Sequence, residues 1–129
     1  MKIDPDLVRD ILLDVVADPA RAPGIGEMRW LTVTIDGKSP EEISEHVRLL
    51  GEAGFMETLK IPKPDGYYWF PVRLTWEGQQ YLAGVENATM YTKVKEVALR
   101  AFGTVTLETV KAAIPYVLRE LAKQAGLGG

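Results

Sequence analysis

The chain has 129 residues, with 15 Lys and Arg, 18 Asp and Glu, one histidine and no cysteine. A chain of this length buries roughly two thirds of the surface of its unfolded form, so one hydrophobic core is enough to stabilise it. The absence of cysteine excludes thiol nucleophiles, disulfides and thiolate metal sites. Hydrophobic residues make up 47% and charged residues 26% of the sequence, which is typical of a globular protein.

The net charge of −3 conceals an uneven distribution. Residues 1–86 carry 9 basic and 15 acidic side chains, a balance of −6, whereas residues 87–129 carry 6 basic and 3 acidic ones, a balance of +3. We therefore expect the C-terminal part to dock on the rest of its own chain or on a second copy. The opening MKIDPDLVRD is no signal peptide and no apolar run approaches roughly 18 residues, so we expect a cytoplasmic protein without a membrane span.

The first predicted helix runs from about residue 5 to residue 17. Asp4 and Pro5 supply an N-cap and a first-turn proline, and apolar residues then recur at helical spacing. Four aspartates also recur four residues apart, which is typical either of a solvated face or of a docking stripe for a basic partner: Asp6, Asp10, Asp14 and Asp18.

A predicted strand and a second predicted helix follow. Residues 29–35, RWLTVTI, alternate apolar and polar side chains, which predicts a half-buried strand before a turn. Ser39, Pro40 and Glu42 form a capping box, so a helix over 39–53 is expected, ending at Gly54. Its polar side is acidic, with four glutamates against Arg48.

A β-hairpin is predicted next. The runs FMETLKI and YYWFPVRL are separated by PKPDG, which supplies turn chemistry. Alternation predicts one inward face, made of Phe55, Leu59, Ile61, Phe70, Val72 and Leu74. The opposite face then carries Lys60, Trp69 and Arg73.

Three further helices complete the chain. Thr75 caps the first, and the two others are expected to end near Gly103 and to begin near Thr106, with Pro115 kinking the last one. We expect residues 1–86 to form a winged-helix-like domain and residues 87–129 to be a helical extension packed on it as part of a single structural unit. The fold class is α+β: helix, strand, helix, β-hairpin, and a third helix followed by two additional C-terminal helices.

Several phrases of the sequence resemble one protein family. The opening DPDLVRDILL, the central SPEEISEHVRLLGEAGF, the phrase LTWEGQQYL and the later YTKVKE are similar to the domain-of-unknown-function family 2513, small proteins of bacteria and their prophages. The resemblance covers most of residues 1–110. It implies a fold and a cellular setting, but it carries no activity.

Catalytic and metal-binding patterns find little support. His46 is the single imidazole, and Ser44 lies two residues away on the same helix, where the two side chains point apart. His46 with Glu42 is a weak metal pattern, and no dinucleotide or phosphate-loop motif is present. We therefore expect no enzyme, no metal and no cofactor, although an active site built only from carboxylates stays open.

Two functions remain open at this point. The first is double-stranded DNA binding by a transcriptional regulator, with Arg48, Lys60, Lys63 and Arg73 on phosphates and Trp69 assisting at the hairpin. The second is a protein-interaction or dimerisation adaptor, since the acidic helix over 39–53 is poorly suited to a DNA groove. The apolar faces of the last two helices predict a homodimer.

Overall fold

The computed structural model describes residues 3–17 and 33–126. Within these residues it contains five helices and one two-stranded antiparallel sheet, so the α+β fold class is confirmed. The elements in chain order are α1 (Pro5–Ala17), α2 (Pro40–Glu52), β1 (Met56–Lys63), β2 (Gly66–Leu74), α3 (Trp76–Val85), α4 (Ala88–Phe102) and α5 (Leu107–Gln124).

Local capping explains where the first two helices begin and end. The side chain of Asp4 accepts the Asp6 backbone N–H across 2.9 Å, and the Ser39 hydroxyl accepts the Glu42 N–H across 3.1 Å. After α2 the chain reverses at Gly54, whose φ of 83° lies in the left-handed region that glycine tolerates. The predicted helices over 5–17 and 39–53 are therefore confirmed.

The strand expected at 29–35 differs in the structure. Residues 33–35 belong to no helix or strand, and residues 29–32 lie outside the described residues. Val33 is nevertheless buried in the core, and the Ile35 carbonyl accepts the Lys38 N–H across 3.1 Å to close the turn at residues 36–37. The alternation of apolar and polar residues predicted the burial of Val33 correctly. It does not show whether a neighbouring strand is present to pair with this segment.

The hairpin is longer and more tightly turned than predicted. Lys63 pairs with Gly66, so the loop shrinks from the predicted PKPDG to two residues, 64 and 65. Near the base, Glu57 pairs with Arg73 and Thr58 with Pro71, which leaves Val72 without a partner in the register and forms a bulge. Because of this extra residue, Arg73 lies on the opposite face of the hairpin from Lys60 and Trp69.

The predicted inward face of the hairpin is only partly right. Phe55 and Leu74 are buried as expected, but Leu59 is 41% exposed. Met56 and Pro71 are buried instead, and Trp69 packs against the core. Phe55 precedes the first strand residue, so counting the alternation from it assigns β1 to the wrong faces.

One hydrophobic core joins all of these elements. The apolar stripe of α1 is completely buried at Leu7, Val8, Ile11 and Leu12, and it belongs to one cluster with buried residues from each of the other helices. The N-terminus of α3 comes very close to the chain before β1: a Cβ built on Gly78 would lie 1.9 Å from the Phe55 carbonyl oxygen. Only glycine fits this crossing.

The last two helices form an antiparallel hairpin beside α3. Gly103, with φ of 78°, ends α4, and a reciprocal cap between Thr106 and Thr109 begins α5. α5 continues through Pro115, which leaves the Lys111 carbonyl without an intrahelical N–H. Among the described residues, no helix has the length and apolar character needed to cross a membrane.

Candidate functional site

Arg48, the basic residue on the acidic helix predicted over 39–53, is held by two carboxylates of its own helix. Its guanidinium donates to Glu45 through two nitrogens, and a third nitrogen donates to Glu52 across 2.8 Å. The hydrogen bond from Arg48 lowers the pKa of Glu45, and the same contact raises the pKa of Arg48. Arg48, the residue of α2 that would bind a DNA phosphate, is therefore already paired with two carboxylates.

Arg73 is held in the same way across the hairpin. It donates to the two carboxylate oxygens of Glu57 at 2.6 and 3.0 Å, a bidentate pair between directly opposed strand residues. This hydrogen bond lowers the pKa of Glu57. The interaction is exposed and adds little to stability, but it neutralises the arginine.

The two lysines of the hairpin lie over aromatic rings. The Lys60 ammonium is 4.0 Å from the ring centroid of Tyr67, and the Lys63 ammonium is 3.7 Å from that of Tyr68. Lys63 also pairs with Asp65 at 3.6 Å. Lys60 has no carboxylate within 4 Å among the described residues, so it is the least neutralised cation of the predicted DNA-binding set.

Trp69 is half-buried and belongs to the packing of the hairpin on α2. Its backbone N–H, at the outer edge of β2, donates to the buried Ser44 hydroxyl across 2.9 Å. The predicted outward position of Trp69 is therefore wrong. The Ser44 hydroxyl thereby satisfies one backbone N–H on the free edge of β2.

The structure divides the predicted cations of the hairpin between its two faces. Lys60 shares a face with Trp69, whereas Lys63 and Arg73 lie on the opposite face. Arg48 lies on α2. No alternation count could have foreseen the face of Arg73, because it depends on a bulge that only the pairing register reveals.

His46 is a structural residue in the interior. It is 1% exposed, its Nε2 accepts the Asp4 backbone N–H across 2.9 Å, and its Nδ1 lies 2.9 Å from the Glu42 carbonyl oxygen. A backbone N–H can only donate, so the hydrogen of the neutral ring is on Nδ1. Both nitrogens are occupied. The described residues contain no cluster of three or more His, Asp or Glu that could hold a metal ion.

A polar cluster ties α1 to the C-terminal helices. The Tyr91 hydroxyl donates to Asp6 across 2.6 Å, and Lys95 pairs with the same oxygen at 3.2 Å. The hydrogen bond from Tyr91 is the main reason that the pKa of Asp6 is lowered, whereas burial raises the pKa of Tyr91. Arg9 donates to the carbonyls of Val85 and Glu86 at the end of α3. At least one cation of the basic C-terminal part, Lys95, is thus paired with an acidic residue of the N-terminal part within the same chain.

The outer side of the C-terminal helices forms a basic groove that the sequence analysis did not resolve. We define the α4–α5 groove by Lys93, Val97 and Arg100 of α4 and by Tyr116, Arg119 and Lys123 of α5. Its larger part has a volume of about 440 Å³. None of its four cations forms an ion pair with the residues that the structure describes. The positive balance of residues 87–129 was the signal for it.

Comparison with known proteins identifies the family. The fold and the capped helix before the hairpin define a small winged-helix-like α+β protein. The family described as "Hypothetical protein (DUF2513)" matches residues 2–104, so the chain belongs to this family. An uncharacterised protein of Haemophilus influenzae is 24% identical over 121 residues, covering 94% of this chain and 98% of that protein. A search of the solved structures gives no significant match.

Proposed function

We propose that the protein is a non-enzymatic protein-interaction adaptor on a winged-helix-like scaffold. The observation that carries the proposal is the neutralisation of both arginines of the predicted DNA surface, Arg48 by carboxylates of its own helix and Arg73 by a carboxylate of the neighbouring strand. A protein that binds DNA through this surface gains affinity by releasing counterions from phosphates, which requires cations that are free to contact them. Arg48 and Arg73 would first have to leave Glu45, Glu52 and Glu57.

The charge of α2 supports the same conclusion. Besides Arg48, its polar side carries Glu41, Glu42, Glu45 and Glu52, so the helix that would enter the major groove has a net charge of −3. Glu41 is fixed in its position by the Tyr68 hydroxyl, which donates to it across 2.9 Å. An anionic helix repels the phosphates that line the groove.

Exposed apolar residues on the C-terminal helices also favour a protein partner. Leu99, Phe102, Tyr116 and Leu118 are between 46 and 57% exposed. Exposed aromatic and aliphatic side chains are typical of protein interfaces, whereas the DNA backbone offers little apolar surface. The proposal includes a homodimer of the adaptor, and light scattering at several protein concentrations tests whether it forms.

DNA binding by a bacterial or prophage regulator is the second candidate. The observation that favours it is Lys60, which lies over Tyr67 without a carboxylate partner in the described part of the chain. In this alternative Lys60 and Lys63 contact phosphates while the aromatic residues of the hairpin approach the groove. The protein is then a cytoplasmic DNA-binding accessory factor.

Fluorescence anisotropy with random-sequence duplex DNA separates the two candidates. If the protein is an adaptor, its DNA binding should not be of the kind whose affinity falls steeply between low and moderate salt. Steeply salt-dependent binding that the double substitution Lys60→Ala with Lys63→Ala weakens equally for every sequence would establish the DNA candidate and overturn the adaptor.

A further inference from the structure

We infer that the α4–α5 groove is the docking site for an acidic amphipathic helix of a partner protein. This inference rests on the proposed adaptor function and names its partner class. The lining of the groove includes the apolar side chains of Val97 and Tyr116 and two cations from each of its two helices. An amphipathic helix with acidic flanks matches both properties, since its apolar stripe covers Val97 and Tyr116 while its carboxylates meet the cations.

The cations of the groove differ from several other basic residues of the protein in having no carboxylate partner among the described residues. Among the described residues, Lys63, Arg73 and Lys95 each have a carboxylate partner within 4 Å, and so does Arg48. Lys93, Arg100 and Lys123 have none, and Arg119 contacts only the Tyr116 ring, at 5.7 Å. Two glutamates, Glu96 and Glu120, also line the groove, so its cations exceed its carboxylates by two.

A second copy of this chain fits the groove less well than a different protein. Two copies that met groove to groove would bring like charges together across the symmetry axis. The acidic helices of a second copy offer few free carboxylates, because Asp6 is held by Tyr91 and Lys95, and Glu45 and Glu52 are held by Arg48. Charge complementarity therefore favours a partner that brings its own acidic helix.

Duplex DNA is the other anionic macromolecule to consider. It presents phosphates without an apolar stripe, and it would leave the lining residues Val97 and Tyr116 without apolar contacts while meeting Glu96 and Glu120. The mixed lining thus favours the helix, and DNA becomes an outcome of the test.

The probe is a fluorescein-labelled synthetic peptide of about 20 residues, long enough to form a helix, with leucines at helical spacing and glutamates elsewhere. A second peptide of the same composition has its leucines scattered. The test variant of the full-length protein is Lys93→Glu with Arg119→Glu. These residues lie outside the last helical turns, where Arg100 and Lys123 interact favourably with the helix dipole. The matched control, Lys60→Glu with Lys63→Glu, makes the same change in net charge on the hairpin.

The unsubstituted protein is expected to bind the amphipathic peptide more tightly than the scattered one, at low salt. The groove variant should lose about tenfold or more in affinity, and the hairpin variant about twofold at most. Should the groove variant fail to melt like the unsubstituted protein, Lys93→Gln with Arg119→Gln replaces it. Absence of peptide binding overturns the inference, and so does an equal loss in both variants.

The remaining outcomes separate this inference from the adaptor proposal. Loss of peptide binding in the hairpin variant alone would place the partner elsewhere and leave the adaptor function standing. Binding of random duplex DNA that the groove variant abolishes, without peptide binding, would overturn both proposals.

Discussion

Nε2 of His46 accepts the backbone N–H of Asp4 across 2.9 Å, so a buried side chain of α2 holds the residue that begins α1. The same Asp4 caps its own helix through the Asp6 N–H and pairs with Lys38 at 3.4 Å. The N-terminus of α1 is thereby fixed against the start of α2 by contacts between residues more than 30 positions apart in the chain.

Replacement of His46 by leucine tests this contact. The substitution removes the acceptor of the Asp4 N–H and leaves the Glu42 carbonyl without a side-chain donor, so we expect a loss of about 1–3 kcal/mol in the free energy of unfolding. Urea denaturation measures it. The control is Glu52→Gln on the exposed side of α2, which should stay within about 0.5 kcal/mol of the unsubstituted protein. A His46→Leu protein as stable as the control would contradict a structural role for the imidazole.

Two tyrosines in the interior predict opposite effects of removing a hydroxyl. Tyr81 is 3% exposed, and its hydroxyl has no hydrogen-bond partner in the part of the chain that the structure describes. Tyr81→Phe should therefore be neutral or stabilising by up to about 1 kcal/mol. Tyr91→Phe removes the hydrogen bond to the Asp6 carboxylate and should cost about 1–2 kcal/mol. Thermal or urea unfolding of the two variants side by side measures both changes in stability. Equal changes would contradict the assignment of a hydrogen bond to the Tyr91 hydroxyl and none to the Tyr81 hydroxyl.

The Asp6 contact also predicts a pH dependence. The Tyr91 hydrogen bond holds the pKa of Asp6 below its ordinary value of 3.8. The stability from this group is therefore present above 3.8 and is lost as the pH falls through the lowered pKa of the folded state. In Tyr91→Phe the pKa of Asp6 should rise, which carbon-detected NMR titration of the carboxyl group measures. The same Asp6 pKa in both proteins would show that Tyr91 is not the cause.

Gly78 predicts a steric effect. Its missing Cβ would lie 1.9 Å from the Phe55 carbonyl oxygen, and backbone on both sides leaves no flexible group to yield. We expect Gly78→Ala to cost about 3 kcal/mol or more, despite the better helix propensity of alanine. Gln79→Ala, at the exposed next position of α3, is the control and should change stability little. A stable Gly78→Ala protein would mean that α3 crosses the chain farther from Phe55.

Local chemistry carried most of the fold prediction. Ser39, Thr75 and Thr106 each cap a helix at the predicted position, because a side-chain oxygen accepting a backbone N–H depends only on residues three apart. The faces of the hairpin were harder to predict. They depend on the register of two strands and on a bulge at Val72, and neither is determined by a short window of sequence.

The candidate binding surfaces also depend on contacts between residues far apart in the chain. Charge counting located an excess of cations after residue 87, but it could not tell which cations are paired. The partners of Arg73 and Lys95 lie 16 and 89 positions away, so their neutralisation appears only in the folded chain. A residue type identifies a possible ligand, whereas its tertiary contacts determine whether it is free to bind one.

The most direct test of the account is an NMR titration that follows the backbone amides of the whole protein. With the acidic amphipathic peptide, we predict shift changes concentrated on α4 and α5 around Val97 and Tyr116, with the hairpin unaffected. With random duplex DNA at the same salt, we predict no saturable changes. Saturable shifts on α2 and the hairpin upon addition of DNA, with α4 and α5 unchanged by the peptide, would contradict the account.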